Sequence, residues 1–237
     1  MRPDPRSISG AILMLVIIPI IAGLFACMPV PIGDPERSRI DRQMSGWWAM
    51  EDESGAGLAV FRPYDRRTWL VFMVSLEKGE LAGIGDFDLE TAGDVVTVLR
   101  ANTVGTKGVV ADAPSVYKAW LTRLGGERFM TWEPVGQIED QETFYPDAWF
   151  VFKVTEQTED LFVAAMINAE HKAFDGLIDS LEEEETDPWK ARKHWERAIR
   201  KHADDPELYD SDILRFRRLP EELESKAARI VALPFDY

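Results

Sequence analysis

Few residues of this chain have both the type and the spacing that catalysis requires. The only three histidines are His171, His194 and His202, and two of them, His171 and His202, fall on the apolar faces of predicted helices, where a packed or capping role is favoured. The signatures of zinc proteases, serine hydrolases, P-loops and dinucleotide-binding folds are all missing from the sequence. The sequence therefore predicts no enzyme active site, no cofactor and no metal centre.

The carboxylates are numerous but poorly organised for chemistry. Asp86, Asp88 and Glu90 alternate, so on a strand they would share one face and could bind Ca²⁺ through oxygen ligands. The alternative is a solvated polar strand face. With 27 Lys and Arg against 42 Asp and Glu, the net charge of −15 argues against a nucleic-acid binder and against docking of the folded part on anionic lipid.

The single cysteine follows an apolar segment close to the N-terminus. Arg2 and Arg6 precede an uncharged run over residues 11–28, a pattern typical of a secretory signal. The run ends in Leu24-Phe25-Ala26-Cys27, which resembles the bacterial lipobox. The resemblance implies a diacylglyceryl thioether on Cys27 and cleavage after residue 26. We therefore predict a signal peptide over residues 1–26 and a lipoprotein of the cell envelope.

An uncleaved signal anchor is the alternative for the same segment. Eighteen uncharged residues would form about 27 Å of helix, which just reaches across a bilayer core. Both interpretations place the bulk of the chain outside the cytoplasm, because the basic end stays inside. By resemblance to Gram-negative sorting, Met28 in place of Asp implies export from the cell membrane to the outer membrane, with the folded part in the periplasm.

The segment after the cysteine predicts a tether and then one folded domain. Three prolines within residues 28–35 suggest a stiff, extended tether over residues 27–44 that holds the folded part off the membrane. Residues 45–237 are predicted to form a single β-rich globular domain.

Short segments rich in β-branched and aromatic residues, separated by polar turns, dominate the first part of this domain. Such spacing predicts a mainly β (α+β) fold, an antiparallel barrel or sandwich. Apolar and polar residues do not alternate strictly enough along these segments to define the register of the strands. The predicted strands cover residues 57–61, 68–76, 94–99, 116–124, 128–132, 148–154, 161–167 and, after a helical insert, 212–218.

The last third changes to a helical period. Phe174, Leu177, Ile178 and Leu181 follow the i, i+3, i+4, i+7 pattern of one helix face, predicting a helix over about 169–181. Asp-Pro pairs at 187–188 and 205–206 supply an N-cap and a first-turn proline. Further helices are predicted at 188–203, with Trp195, Ile199 and His202 facing the sheet, and at 220–229.

The domain also resembles a known group of proteins. Gly46-Trp47-Trp48, at the start of the first strand, resembles the G-x-W signature of lipocalin-like barrels. Residues 125–129, 201–209 and 217–218 resemble uncharacterised bacterial envelope lipoproteins with a barrel-like body and helices inserted before the last strand. The similarity covers about residues 44–220. It implies a fold and an envelope address but no catalytic residue.

The resemblance also predicts how the barrel closes. In lipocalin-like barrels an early tryptophan packs under an arginine of the last strand, here Trp47 under Arg218. Leu214, Phe216 and Arg218 lie on one side of that strand, and this apolar set is expected to face inward.

Tryptophan content suggests the function. The chain has eight tryptophans, and those inside a barrel could line a cavity for a small apolar ligand; the alternative is that they only fill the core. We therefore predict a membrane-anchored binding module with no nucleic-acid partner. The alternative is an accessory subunit of a membrane protein complex, held by an uncleaved N-terminal helix. The predicted ligand-binding residues are Trp69, Trp120, Trp132 and Trp149.

Overall fold

The computed structural model describes residues 27–53, 55–76, 79–81, 85–87, 90–101, 114–137, 148–184 and 187–231, so the predicted signal peptide lies outside it. The strands are β1 (Gly46–Asp52), β2 (Gly55–Pro63), β3 (Trp69–Leu76), β4 (Gly79–Leu81), β5 (Gly85–Phe87), β6 (Ser115–Leu124), β7 (Glu127–Gln137), β8 (Phe150–Gln157), β9 (Leu161–Ile167) and β10 (Tyr209–Arg218). The α-helices are α1 (Ala92–Ala101), α2 (Leu177–Glu184), α3 (Pro188–His202) and α4 (Glu221–Val231). Short 3-10 turns lie at Pro35–Arg37, Arg42–Met44, Lys172–Phe174 and Pro206–Leu208.

Eight of the strands close into an antiparallel barrel. Their order is β1-β10-β9-β8-β7-β6-β3-β2, and β2 pairs with β1 to complete the ring. Strands β4 and β5 form a separate two-stranded sheet. The structure confirms the predicted mainly β fold, a lipocalin-like barrel with helices inserted before the last strand.

The barrel strands bury apolar side chains on both faces. On β2, Ala59 and Phe61 point into the barrel, while Leu58 and Val60 point outward and are just as buried. Two groups of segments cover the outer face of the barrel, each on a different side. Helices α1 and α4 pack on β1–β3, and α3 packs with residues 28–32 against β6–β9. Because both faces are apolar, the strands lack the alternation that marks a half-solvated sheet.

Helix α1 corrects the predicted strand at residues 94–99. The β-branched residues suggested a strand, but a capping box starts a helix: Thr91 Oγ1 accepts from the Asp94 N–H, and the Thr91 N–H donates to Asp94 Oδ2 at 2.8 Å. Val95 and Leu99 then lie one turn apart and are buried against the barrel. Packing on an outer barrel face outweighs the weak helix propensity of valine.

The predicted helix at 169–181 is also corrected, because it is interrupted. Residues 172–174 form a 3-10 turn, and α2 begins only at Leu177. Gly176 between them has a φ of +73°, a left-handed conformation that glycine adopts without strain. Phe174 is fully buried as expected, whereas Ile178 is 38% exposed.

The cap chemistry predicted for the helical insert is confirmed. Asp187 Oδ1 accepts from the Trp189 N–H at 2.9 Å, and Pro188 is the first residue of α3. Trp195 and Ile199 of this helix are buried, and Trp195 stacks on Phe174 with ring centroids 4.7 Å apart. The helix predicted at 220–229 is α4.

Residues 28–32 do not form a free tether. Met28, Val30 and Ile32 are fully buried between the outer barrel face and α3. The Ile32 carbonyl oxygen accepts from Trp120 Nε1 at 2.8 Å and from Thr131 Oγ1 at 2.7 Å. The prediction of a stand-off spacer is wrong here, because alternate apolar residues between the prolines bind the segment to the domain.

Trp48 and Arg218 close one end of the barrel, which we call the closed end. They are direct cross-strand partners of β1 and β10, and the Arg218 guanidinium lies 4.1 Å from the Trp48 ring centroid. Arg218 also donates to the carbonyl oxygens of Ser45 and Glu159. Gly46 leaves room for this side chain, because a Cβ there would lie 2.9 Å from Arg218 Nη1.

The predicted partner Trp47 is therefore wrong by one residue. Neighbouring side chains of a strand point to opposite faces, so Trp47 faces outward and packs in the cluster formed with α1 and α4. The inward orientation of Leu214 and Phe216 is confirmed.

The cation–π contact predicts a measurable coupling. We expect a double-mutant cycle of Trp48→Ala and Arg218→Ala to give a coupling free energy of about 0.5–2 kcal/mol in urea unfolding, the range for a guanidinium over an indole ring. The same cycle with Trp47→Ala is the control and should give a coupling near zero. Equal coupling for both tryptophans would contradict the assigned contact.

Burial of Trp195 predicts that α3 contributes to global stability. Trp195→Ala should lower the free energy of unfolding by about 3–5 kcal/mol, as for a large aromatic removed from a core. Trp189→Ala on the same helix is the control, because Trp189 is 38% exposed and should cost clearly less. A melting curve unchanged by Trp195→Ala would show that α3 is not part of the cooperative unit.

Candidate ligand-binding site

Aromatic rings fill most of the barrel interior. Phe61 contacts the rings of Trp69, Trp132, Phe162 and Phe216, with centroid separations of 5.6–6.4 Å. Phe162 and Phe216 stack at 4.1 Å. This cluster occupies the middle of the barrel, between the closed end and the end opposite Arg218, which we call the open end.

A small apolar pocket lies at the open end. Its volume is about 170 Å³, and it is open to the outside. The side chains come from β1, β3, β6, β7, β8, β9 and β10, so the rigid barrel positions the whole wall. They are Asp52, Met73, Tyr117, Trp132, Phe150, Phe152, Met166 and Leu214.

The pocket has few polar groups, and they differ in what they offer a ligand. Asp52 accepts from the Gly55 N–H at 3.1 Å within the β1–β2 turn. Burial raises the pKa of the Tyr117 hydroxyl, so this group stays protonated at neutral pH. Trp132 Nε1 is buried and has no hydrogen-bond partner among the described residues. An unpaired buried donor costs free energy that an acceptor atom within reach would recover.

The four predicted tryptophans divide between the two faces of the barrel. Trp132 lines the pocket. Trp69 is also inside but lies towards the closed end, where its Nε1 donates to Ser45 Oγ at 3.0 Å. Trp120 and Trp149 lie outside, each about 6.2 Å from the ring of Trp189 on α3. Of the four, only Trp132 contributes to the pocket.

The remaining wall residues were not identified from the sequence. Tyr117, Phe150 and Phe152 belong to strands that were predicted, and Phe150 and Phe152 share the period of two that marks one strand face. The sequence therefore carried a signal for these two residues. However, Val151 between them is equally apolar and is buried on the outer face of the barrel, so the sequence did not show which face of the strand points inward.

Cys27 lies beside the wall of this pocket. Backbone hydrogen bonds join Met28 and Trp149 in both directions, at 2.7 and 3.0 Å, and hold the start of the described chain against the residue that precedes β8. Cys27 is close enough to Tyr117 that a thiolate there would add to the effect of burial on the tyrosine pKa. Burial also raises the pKa of the Cys27 thiol. The predicted lipidation site is therefore adjacent to the open end.

One cluster has the residue types of a metal site. His171, Asp205 and Glu207 bring ligand atoms within 4.8 Å of one another, and Asp205 Oδ2 lies 3.4 Å from His171 Nε2. However, His171 Nδ1 accepts from the Ala173 N–H at 3.1 Å, so the ring proton of the neutral imidazole sits on Nε2. That proton occupies the lone pair a metal would need. His171 therefore caps the 3-10 turn at Lys172–Phe174, consistent with its predicted role, and Glu207 pairs with Lys172 at 3.2 Å.

The other candidate groups add no site. Glu90 is exposed, Asp88 lies outside the described residues, and nothing is described of the Asp86 side chain, so the predicted Ca²⁺ face stays untested. Among the described residues, no helix has the length and apolar character needed to cross a bilayer.

We compared the chain with known proteins at three levels. No family model, no curated protein and no solved structure matches it. The geometry of the open end and the sequence around Cys27 are therefore the features that indicate a function.

Proposed function

We propose that this protein is an extracytoplasmic, membrane-anchored lipoprotein whose barrel binds a small apolar ligand at its open end. The observation that carries this proposal is the apolar pocket lined by seven strands beside Cys27. A ligand site in the mouth of a barrel, with an apolar wall and few polar groups, is a common arrangement.

The size of the pocket limits the ligand. Sites for drug-sized ligands usually have volumes of about 300–1,000 Å³, whereas an apolar cavity of about 150 Å³ is enough for benzene. A volume of about 170 Å³ therefore accepts one ring or the end of a short branched chain. The packed aromatic cluster below it leaves no room for a long acyl chain to enter the barrel.

The polar groups of the wall indicate that the ligand also carries an acceptor. No described residue pairs with Trp132 Nε1, and the protonated Tyr117 hydroxyl is a second donor. A ligand with one ring and one hydroxyl or carbonyl oxygen would bury its apolar part and pair with a donor. Asp52 at the wall disfavours an anionic ligand.

The position of Cys27 relates the pocket to the membrane. Since Met28 is already hydrogen-bonded to Trp149, just before β8, an acylated Cys27 would hold the open end close to the bilayer surface. In that orientation an apolar ligand could enter from the membrane interface. The accessory-subunit alternative is favoured by a different observation, the largely filled barrel.

The lipid anchor predicts a loss of processing in one variant. Cys27→Ser should prevent acylation and cleavage after Ala26, so intact mass spectrometry should show the full-length, unmodified chain. Adding Ser225→Cys to Cys27→Ser restores a thiol on exposed α4 and is the control, which should stay unacylated. A mature mass that Cys27→Ser does not change would favour the uncleaved anchor.

The pocket predicts binding that depends on its free volume. We expect benzyl alcohol, which has one ring and one hydroxyl, to bind the wild-type protein in ligand-observed NMR, and Leu214→Trp to abolish the signal by filling the pocket. Ile213→Trp is the matched control, because its side chain points out of the barrel and binding should persist.

A second variant separates pocket filling from misfolding. Leu214→Ala enlarges the pocket, so a larger ring such as naphthalene methanol should bind more tightly than to wild type. Binding that is equal in Leu214→Trp, Leu214→Ala and wild type would overturn the proposed site.

A further inference from the structure

A second concave surface, the arginine groove, lies at the closed end of the barrel. Its volume is about 740 Å³, and three separate parts of the chain form it: residues 33–42, the β6–β7 hairpin and α3. The basic side chains that line it are Arg37, Arg39, Arg42, Arg123, Arg128, Arg192, Lys193 and Arg200.

The charge of this groove is opposite to that of the whole chain. Eight basic side chains face three acidic ones, Asp34, Asp41 and Glu196, which leaves a formal excess of five positive charges. The chain as a whole carries −15. Such a local reversal concentrates positive potential in one concavity.

The three acidic side chains of the groove already form ion pairs with arginines. Asp41 pairs with Arg128 at 3.1 Å, and Arg192 lies 3.8 Å from Asp34 and 3.5 Å from Glu196. These pairs fix the walls of the groove. The cations that line it and have no ion pair among the described residues are Arg39, Arg42, Arg123, Lys193 and Arg200.

Two arginines of the groove face each other across strands β6 and β7. Arg123 and Arg128 are direct cross-strand partners, and like charges in such a pair are destabilising. Arg128 is neutralised by Asp41, whereas Arg123 is exposed without an ion pair in the described part of the chain. An anion bound beside Arg123 would offset its repulsion from the neighbouring cations of the groove.

The positive surface continues beyond the groove. A neighbouring concavity of about 560 Å³ shares residues 37–40 and Arg42 with it and adds Arg66 and the ion pair of Arg67 with Glu36. The basic surface is therefore an open, elongated strip rather than an enclosed cavity. Ile40, which lines both concavities, adds an apolar contact.

We propose that the arginine groove binds an acidic, extended segment of a partner protein. An open strip with interspersed apolar contacts suits a peptide, and guanidinium groups pair with carboxylates in bidentate geometry. A long nucleic acid would meet the acidic remainder of the surface. Lipid headgroups are disfavoured because the groove lies at the opposite end of the barrel from Cys27. The proposal does not depend on ligand binding at the open end.

The test uses a fluorescein-labelled oligoglutamate peptide and the whole mature protein. We expect fluorescence anisotropy to show binding that weakens as salt is raised. Arg39→Ala, Arg123→Ala and Arg200→Ala combined should weaken binding about tenfold or more, as expected for three partly exposed charge contacts. The matched control combines Arg100→Ala, Arg215→Ala and Arg229→Ala, which removes three exposed cations elsewhere and should leave binding unchanged.

Several results would overturn the proposal. They are the absence of peptide binding, an equal loss in both triple variants, or tighter binding of a DNA oligonucleotide or of phosphatidylglycerol vesicles than of the peptide. Self-association of the wild type in analytical ultracentrifugation that the groove variant abolishes would instead assign the groove to a second copy of this chain. Melting temperatures of both variants, measured in parallel, establish that the comparison is between folded proteins.

Discussion

Burial of both faces of the barrel strands is the constraint on which the rest of this structure depends. A closed ring of eight strands can fill its interior with its own side chains, but its apolar outer face must be removed from water by something else. Helices α1 and α4 cover one side, and α3 covers the other together with residues 28–32. The helical insert and the N-terminal segment are thus required parts of the domain.

The two ends of the barrel differ in how their side chains pack. At the closed end, Arg218 lies over Trp48 and donates to backbone carbonyls, which seals the interior. At the open end the aromatic packing stops and leaves an apolar pocket beside Cys27. A protein tethered at Cys27 would present its pocket to the membrane and its arginine groove to the space beyond. The two proposed sites would then face different partners.

The distribution of charge also distinguishes the arginine groove from the rest of the surface. Net charge predicts the behaviour of a whole chain towards distant polyanions, but it averages over surfaces that are locally opposite in sign. Here an acidic chain places a cluster of arginines in one concavity. The negative net charge argues against binding of a long nucleic acid. It is compatible with attraction of a short acidic segment, because a peptide confined to the groove avoids most of the acidic surface.

The sequence by itself determined the mainly β character, most strands, the Asp-Pro caps and the inward face of β10, because each depends on a few neighbouring residues. The faces of Trp47 and Trp48 and the packing of residues 28–32 were decided only by tertiary structure, whereas the helix at residues 92–101 depends both on the local capping box of Thr91 and Asp94 and on packing against the barrel. Where both faces of an element are apolar, periodicity no longer says which face is inside. The pocket and the arginine groove were beyond prediction for a further reason: each is assembled from segments far apart in sequence, and their meeting depends on how the barrel closes.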